Sequence, residues 1–270
     1  IEEINMKIFI LTDLEGVTGV VSEHLQAKPG AMHYEEARDM LMSDLNAAIK
    51  GAMESGATEF LVYDMHYWGL NIRLNEILGK TKVIMGKPGH PLGKDLDSSL
   101  AGIFLIGNHA MAKTAGAVLP HTYTYDMEEI TVNGMKVGEI GMEAALAGEK
   151  GVPLLLVTGD SKAAEETRAL SKETVAVCVK DSLAFSGGVC LPPRVTSAMI
   201  KAGAKEAVKR RKSIKPFKLK KPVEVLIKYK SRRIKDKLLK NARLKTTNVD
   251  QKTILARGNS LSDIWAQLRP

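Results

Sequence analysis

Three short apolar runs, each stopping at residues that carry carboxylates or imidazoles, constrain this chain more than any other feature. Residues 7–12 lead into Asp13-Leu14-Glu15-Gly16, Glu59 to Tyr63 lead into Asp64-Met65-His66, and Gly102 to Ile106 lead into Gly107-Asn108-His109. Runs this short, with little polar alternation, suit strands buried on both faces. Val83 to Met85 predicts a further strand. Between the first two runs, Ala37, Leu41, Leu45, Ala48 and Ala52 recur at spacings of four and three. They predict a helix from about His33 to Ser55, with Gly56 as its stop. Strand, helix, strand in that order calls for a mostly parallel sheet with right-handed crossovers.

Further along, Asn133-Gly134 sits between two β-prone stretches, 129–132 and 135–138. That pair is the strongest local hairpin signal, because both central positions need positive φ. A helix of small residues from about Gly141 to Glu149 is expected next. A strand from Pro153 to Thr158, a helix from Ser161 (near its N-cap) to Ser171 and a strand from Thr174 to Val179 follow. After Pro192-Pro193 a helix runs from about Val195 to Arg211. Short strands (Val223 to Tyr229, Arg243 to Thr247, Thr253 to Ala256) and short helices, the last from about Ser260, complete the chain. The expected class is α/β: a three-layer α/β/α arrangement with a mostly parallel sheet, plus a smaller C-terminal α+β unit. The change of texture divides the chain into residues 1–190, an α/β metal-binding catalytic domain, and residues 191–270, a smaller basic domain.

Charge follows that division. Between Lys201 and Lys245 there are 19 Lys/Arg and three acidic residues, a balance of +16, against −8 for the remainder of the 270-residue chain. Such a stretch could contact nucleic-acid phosphates. With only Phe217 and Tyr229 as aromatics it offers no stacking platform for single strands, and a solvated lysine-rich surface with ion pairs is the expected reading. No apolar run approaches the roughly 18 residues needed to cross a bilayer. Ile8 to Leu11 is too short for a secretory leader, and acidic residues follow at once. Met6-Lys7 reads as a translation start. Cys178 and Cys190 cannot build a disulfide scaffold, so a reducing cytoplasm is the expected compartment.

In open α/β sheets ligands bind beyond the carboxyl ends of the strands. Three strands here deliver Asp13, Glu15, His66 and His109 to that edge. Imidazole nitrogen and carboxylate oxygen are the usual donors to zinc and similar divalent ions, and Asp13 and Glu15, two residues apart, can point to the same side of an extended segment. His24, His33 and His90 fall in loop or helix-start contexts and read as surface residues. A haloacid-dehalogenase-type phosphatase also places Asp at a strand end, with a second Asp two residues on and magnesium bound through oxygen; Glu15 and the neighbouring imidazoles fit that pattern poorly. Neither a P-loop, nor G-x-G-x-x-G, nor a G-x-S-x-G elbow occurs. Gly187-Gly188 marks a tight turn only, and Met40, Met42, Met53, Met142 and Met199 read as core and helix-face residues.

The ordered set Thr12-Asp13-Leu14-Glu15-Gly16, Asp64-Met65-His66, Gly107-Asn108-His109-Ala110, Pro120-His121, Val137-Gly138-Glu139-Ile140-Gly141 and Val157-Thr158-Gly159-Asp160 resembles the zinc-dependent D-aminopeptidase family, from about Met6 to Leu191 and more loosely to the end. The resemblance implies two Zn2+ per subunit, with Asp13 shared, Glu15 and His109 completing one site, and His66 and Glu139 the other. It gives His121 the catalytic role and implies a ring-shaped homo-oligomer acting on short peptides or amino-acid amides. From spacing alone Glu139 reads as a solvated carboxylate past the hairpin. Alternatives left open are another metallohydrolase (amidase or phosphoesterase) on the same scaffold, or nucleic-acid binding through residues 201–245.

Overall fold

The computed structural model describes residues 6–88, 99–240 and 246–268. His90, the residues before Met6 and most of the strand expected at Arg243 to Thr247 lie outside the described residues. The runs read as buried strands are β1 (Lys7–Thr12), β2 (Glu59–Asp64), β3 (Thr81–Ile84), β4 (Gly102–Asn108), β7 (Leu154–Asp160) and β8 (Val175–Ala184). Among the described residues they form one sheet in the order β3-β2-β1-β4-β7-β8, every neighbouring pair parallel. An antiparallel edge strand, β9 (Gly187–Cys190), closes it by pairing with β8.

Alternate residues of β1 enter different cores. Ile8 and Ile10 join a cluster under α1 (Tyr34–Met53) and α4 (Pro193–Arg210), with Leu41, Leu45, Ile49, Ile200 and Ala204. Phe9 and Leu11 join the opposite cluster with Ile140 and Leu146 of α2 (Glu139–Glu149). Burying each large aliphatic side chain contributes roughly 1.5–3 kcal/mol, so a strand apolar on both faces is worth most in the sheet's middle, where β1 lies. Beyond β7 and β8 packs α3 (Ser161–Leu170). Its N-cap is Asp160, one residue before the expected Ser161, because the Asp160 carboxylate accepts the Ala163 N–H at 2.8 Å. Helix α4 likewise starts at Pro193, two residues early, since proline fits the first helical position.

A second, antiparallel sheet has the order β11-β12-β10-β5-β6. Its strands are β5 (Met127–Val132), β6 (Met135–Lys136), β10 (Val223–Tyr229), β11 (Thr247–Asn248) and β12 (Thr253–Gly258). Thus it draws on both sides of residue 190: the Asn133-Gly134 hairpin, with φ of 50° and 80°, supplies β5 and β6, and β5 pairs with β10. Val223, Val225, Ile227 and Tyr229 alternate inward along β10 and meet Trp265 and Leu268 of α6 (Leu261–Leu268) in the core that also holds α2. A short helix α5 (Arg232–Leu239) follows β10. Several basic residues of the 201–245 stretch pair with carboxylates, Lys201 and Lys205 with Glu54 and Lys228 with Glu128. No helix of the described residues is long and apolar enough to cross a membrane.

Chain order runs outward from β1 through β2 to β3, then returns to β4 on the other side of β1. The crevice beyond the carboxyl ends of β1 and β4 is therefore the switch point where open α/β sheets bind ligands. Two glycines shape it. A Cβ on Gly16 would lie 1.8 Å from the Asn108 carbonyl oxygen, and one on Gly159 would lie 2.1 Å from the same atom. The end of β4 is thus seated between the loop after β1 and strand β7 with no room for a side chain on either flank. Gly159→Ala should cost about 1–3 kcal/mol through overpacking and lower the thermal unfolding midpoint by several degrees; an unchanged midpoint would contradict the close seating.

Candidate metal centre

Asp13 leaves the end of β1, His66 follows β2 by two residues and His109 follows β4 directly. The sheet brings their side chains into contact. Asp13 is 5% exposed and turns its two oxygens to different imidazoles: Oδ1 lies 3.1 Å from His66 Nδ1, and Oδ2 lies 3.2 Å from His109 Nε2. Glu15 Oε2 sits 3.0 Å from His66 Nδ1, while Glu139 Oε1 sits 3.4 Å from His109 Nε2. The distances therefore group Glu15 with His66 and Glu139 with His109. This differs from the crosswise pairing that the resemblance implies.

Glu139 is not the solvated residue its spacing suggests. It is 5% exposed, because the β5–β6 hairpin folds onto the core and delivers the first residue of α2 to the crevice. The helix N-terminus favours its negative charge, and the Tyr123 N–H donates to its Oε1 at 2.7 Å. Asp64, by contrast, caps its own loop: its carboxylate accepts the N–H groups of Asn71 and Ile72 and the Asn71 side-chain amide, away from the centre.

Each histidine ring is pinned by a backbone carbonyl. His66 donates Nε2–H to Ala27 at 2.7 Å, His109 donates Nδ1–H to Ala110 at 3.0 Å, and His121 donates Nδ1–H to Leu119 at 3.0 Å. The remaining nitrogen of each ring then carries a lone pair aimed at carboxylate oxygens. Lone pair against lone pair is repulsive unless a proton or a cation lies between, and outer hydrogen bonds of this kind are what orient metal-binding imidazoles. Buried Glu15 Oε2 and His109 Nε2 find no hydrogen bond of acceptable geometry among the described residues, despite their short separations. Two sets of three potential donors result: Asp13, Glu15 and His66, and His109, His121 and Glu139. Their nitrogen and carboxylate chemistry fits zinc.

His121, a member of the second set, also reaches towards the first: its Nε2 lies 4.0 Å from both Glu139 Oε1 and Glu15 Oε1. Its ring stacks on His109 (centroids 4.0 Å apart) and on Tyr125 (4.5 Å). A cavity of about 290 Å³ opens in front of Asp13, Glu15, His66, His121 and Glu139. His24 is exposed and His33 half-buried, where it pairs with Glu36.

One contributor gave no signal in the sequence. Lys180, 1% exposed in the middle of β8, donates its ammonium to the carbonyls of Glu15, Val17 and Val20. On the other side of that loop the buried Asp44 of α1 accepts the Thr18 N–H and O–H, each at 2.9 Å. A buried cation holding carbonyls and a buried anion holding donors thus clamp the segment that carries Glu15. Burial pushes Lys180 down to about 8 and Asp44 up to about 6.

Burial opposes charge on the two inner histidines, yet their carboxylate neighbours outweigh it. Glu15 and Asp13 hold His66, and Asp13 and Glu139 hold His109, well above the ordinary imidazole pKa. Burial likewise opposes charge on Asp13, but the two imidazoles hold it well below the usual carboxylate range. In the cation-free chain the raised imidazoles contribute stability that is complete below about 6.5 and is lost as pH climbs through their folded values. A zinc ion held by these donors would have to displace those protons, so its affinity would rise over the same window. The fall in unfolding midpoint on adding chelator to zinc-loaded protein should therefore be larger at pH 8 than at pH 6. An equal fall at both would contradict this electrostatic account.

The profile of the D-aminopeptidase family, peptidase family M55, matches residues 6–269. A D-aminopeptidase of Bacillus subtilis (strain 168) is 30% identical over 214 residues, covering 78% of this chain and 77% of the relative. The solved structure of the Zn-dependent D-aminopeptidase DppA from Bacillus subtilis, described as a self-compartmentalizing protease, superposes with a TM-score of 0.88. It is 25% identical and covers 96% of this chain and 94% of its own. On the profile match and the curated relative, the chain belongs to the M55 D-aminopeptidase family of peptidases.

Proposed function

We propose that this chain is a two-zinc aminopeptidase that hydrolyses the amide bond next to the free amino end of a short peptide or amino-acid amide, with D-residues preferred. The observation that carries the reading is Asp13, whose two oxygens face two separate imidazoles, each backed by its own glutamate. Asp13, Glu15 and His66 would hold one ion, and Asp13, His109 and Glu139 the other. Zinc supplies Lewis acidity, polarising a carbonyl and lowering the pKa of water towards neutrality. The preference for D-residues and for peptide bonds rests on the relatives. The donor set alone would equally suit a cyclic-amide amidase or a phosphoesterase.

His121 is the acid/base group of this reading. Its Nδ1–H is committed to the Leu119 carbonyl, so Nε2 is free to take a proton from the attacking water. It then returns that proton to the nitrogen that leaves as the C–N bond breaks. Stacking between His109 and Tyr125 keeps the ring in place through both transfers. Positioned general acid–base catalysis contributes about 10²–10⁴-fold.

Zinc analysis and hydrolysis of D- and L-aminoacyl amides, with and without chelator, test the proposal. His121→Ala should keep its zinc and lose about 10²–10⁴ in turnover, whereas Asp13→Ala should lose both zinc and turnover. A metal-stripped protein as active as the loaded one would overturn it.

A further inference from the structure

Glu23 lines the same cavity as Asp13, Glu15 and Glu139 but belongs to neither set of potential zinc ligands. It opens a single wide helical turn, Glu23–Ala27, and the last residue of that turn accepts the His66 Nε2–H. The hydrogen bond that orients His66 therefore also fixes where Glu23 meets the cavity. Two phenols orient the carboxylate. Tyr67 donates its O–H to Oε1 at 3.1 Å, and Tyr125 donates to Oε2 at 3.5 Å.

Both phenols are tied to the centre. Tyr67 directly follows His66 and holds a left-handed φ of 47°, a conformation that costs a non-glycine residue strain and persists only where the surroundings impose it. Tyr125 stacks on His121. Glu23 is thus held at a set place relative to both the potential zinc ligands and the acid/base histidine. Among the described residues it forms no ion pair with a lysine or arginine; the cavity's Lys87 donates to the Met65 carbonyl at 3.2 Å. The inner carboxylates face imidazoles and have a cation in prospect. Glu23 faces only neutral donors, one on each oxygen, and an ionised carboxylate has about four acceptor positions. Its two oxygens therefore keep the capacity to accept further hydrogen bonds.

We infer that Glu23, braced by Tyr67 and Tyr125, is the subsite for the ammonium group of an unblocked substrate. This rests on the aminopeptidase reading and adds why cleavage would stop at the first amide bond. An ammonium seated on Glu23 by charge-assisted hydrogen bonds sets how far along the chain the scissile carbonyl can lie. A substrate without that ammonium leaves Glu23 desolvated and unanswered.

The test compares D-alaninamide with N-acetyl-D-alaninamide on zinc-loaded wild type and Glu23→Gln, which keeps an acceptor for Tyr67. The substitution should raise KM for the free amine about ten- to a hundredfold, the loss of one hydrogen bond to a charged group. It should leave zinc content unchanged and should not weaken use of the acetylated compound, whose entry no longer desolvates an unanswered carboxylate. An unaltered KM, or an equal loss on both compounds, would overturn the subsite. Calorimetric binding of D-alaninamide separates the two claims. If wild type binds but never cleaves it, and Glu23→Gln binds it about ten- to a hundredfold more weakly, the peptidase reading fails and the ammonium subsite stands. If the affinity is unchanged by the substitution, the subsite fails whatever the turnover.

Discussion

The structure turns on one aspartate placed where a parallel sheet changes direction. Asp13 leaves β1, an inner strand whose neighbours β2 and β4 belong to the two opposite runs of the chain. Its carboxylate can therefore meet an imidazole from each side, His66 after β2 and His109 after β4. Among the described residues no other strand end has that position. Burying the carboxylate is costly unless opposite charge answers it, and the two imidazoles supply that answer. The same requirement recurs one layer out. The loop after Asp13 is held by the Lys180 ammonium on its carbonyls and by Asp44 on its Thr18 donors. The Asn108 carbonyl, next to His109, is wedged against Gly16 and Gly159.

How far the sequence discloses this depends on whether a signal is local. Strands buried on both faces have no polar alternation, so β1, β2 and β4 and the residues leaving their ends are legible, and with them Asp13, Glu15, His66 and His109. The β5–β6 turn is legible because Asn133 and Gly134 both need positive φ. Glu139 is different. Its burial results from a hairpin pairing with β10, some ninety residues away in the chain, and only the family resemblance singles it out. Lys180 reads as any lysine near the end of a strand, since nothing nearby reveals three carbonyls converging on it. The turn that presents Glu23 is equally silent, because its partner, His66, is remote in sequence.

The two groupings of potential metal donors follow from this geometry. Glu15 lies on the same side of Asp13 as His66, and Glu139 enters beside His109 from the second sheet. The antiparallel sheet is thus more than an appendage: its hairpin delivers one carboxylate to the centre, and its β10 and α6 bury the face of α2 that holds that carboxylate in place. The excess of basic residues beyond Lys201 partly answers Glu54, at the end of α1, and Glu128, on β5.

Anomalous scattering from crystals of the zinc-loaded protein, recorded on both sides of the zinc edge, tests the central claim most directly. Two peaks in the cavity, with Asp13 contacting both, are the expected result. A single peak held by one triad alone, or density in which Asp13 touches no ion, would contradict it.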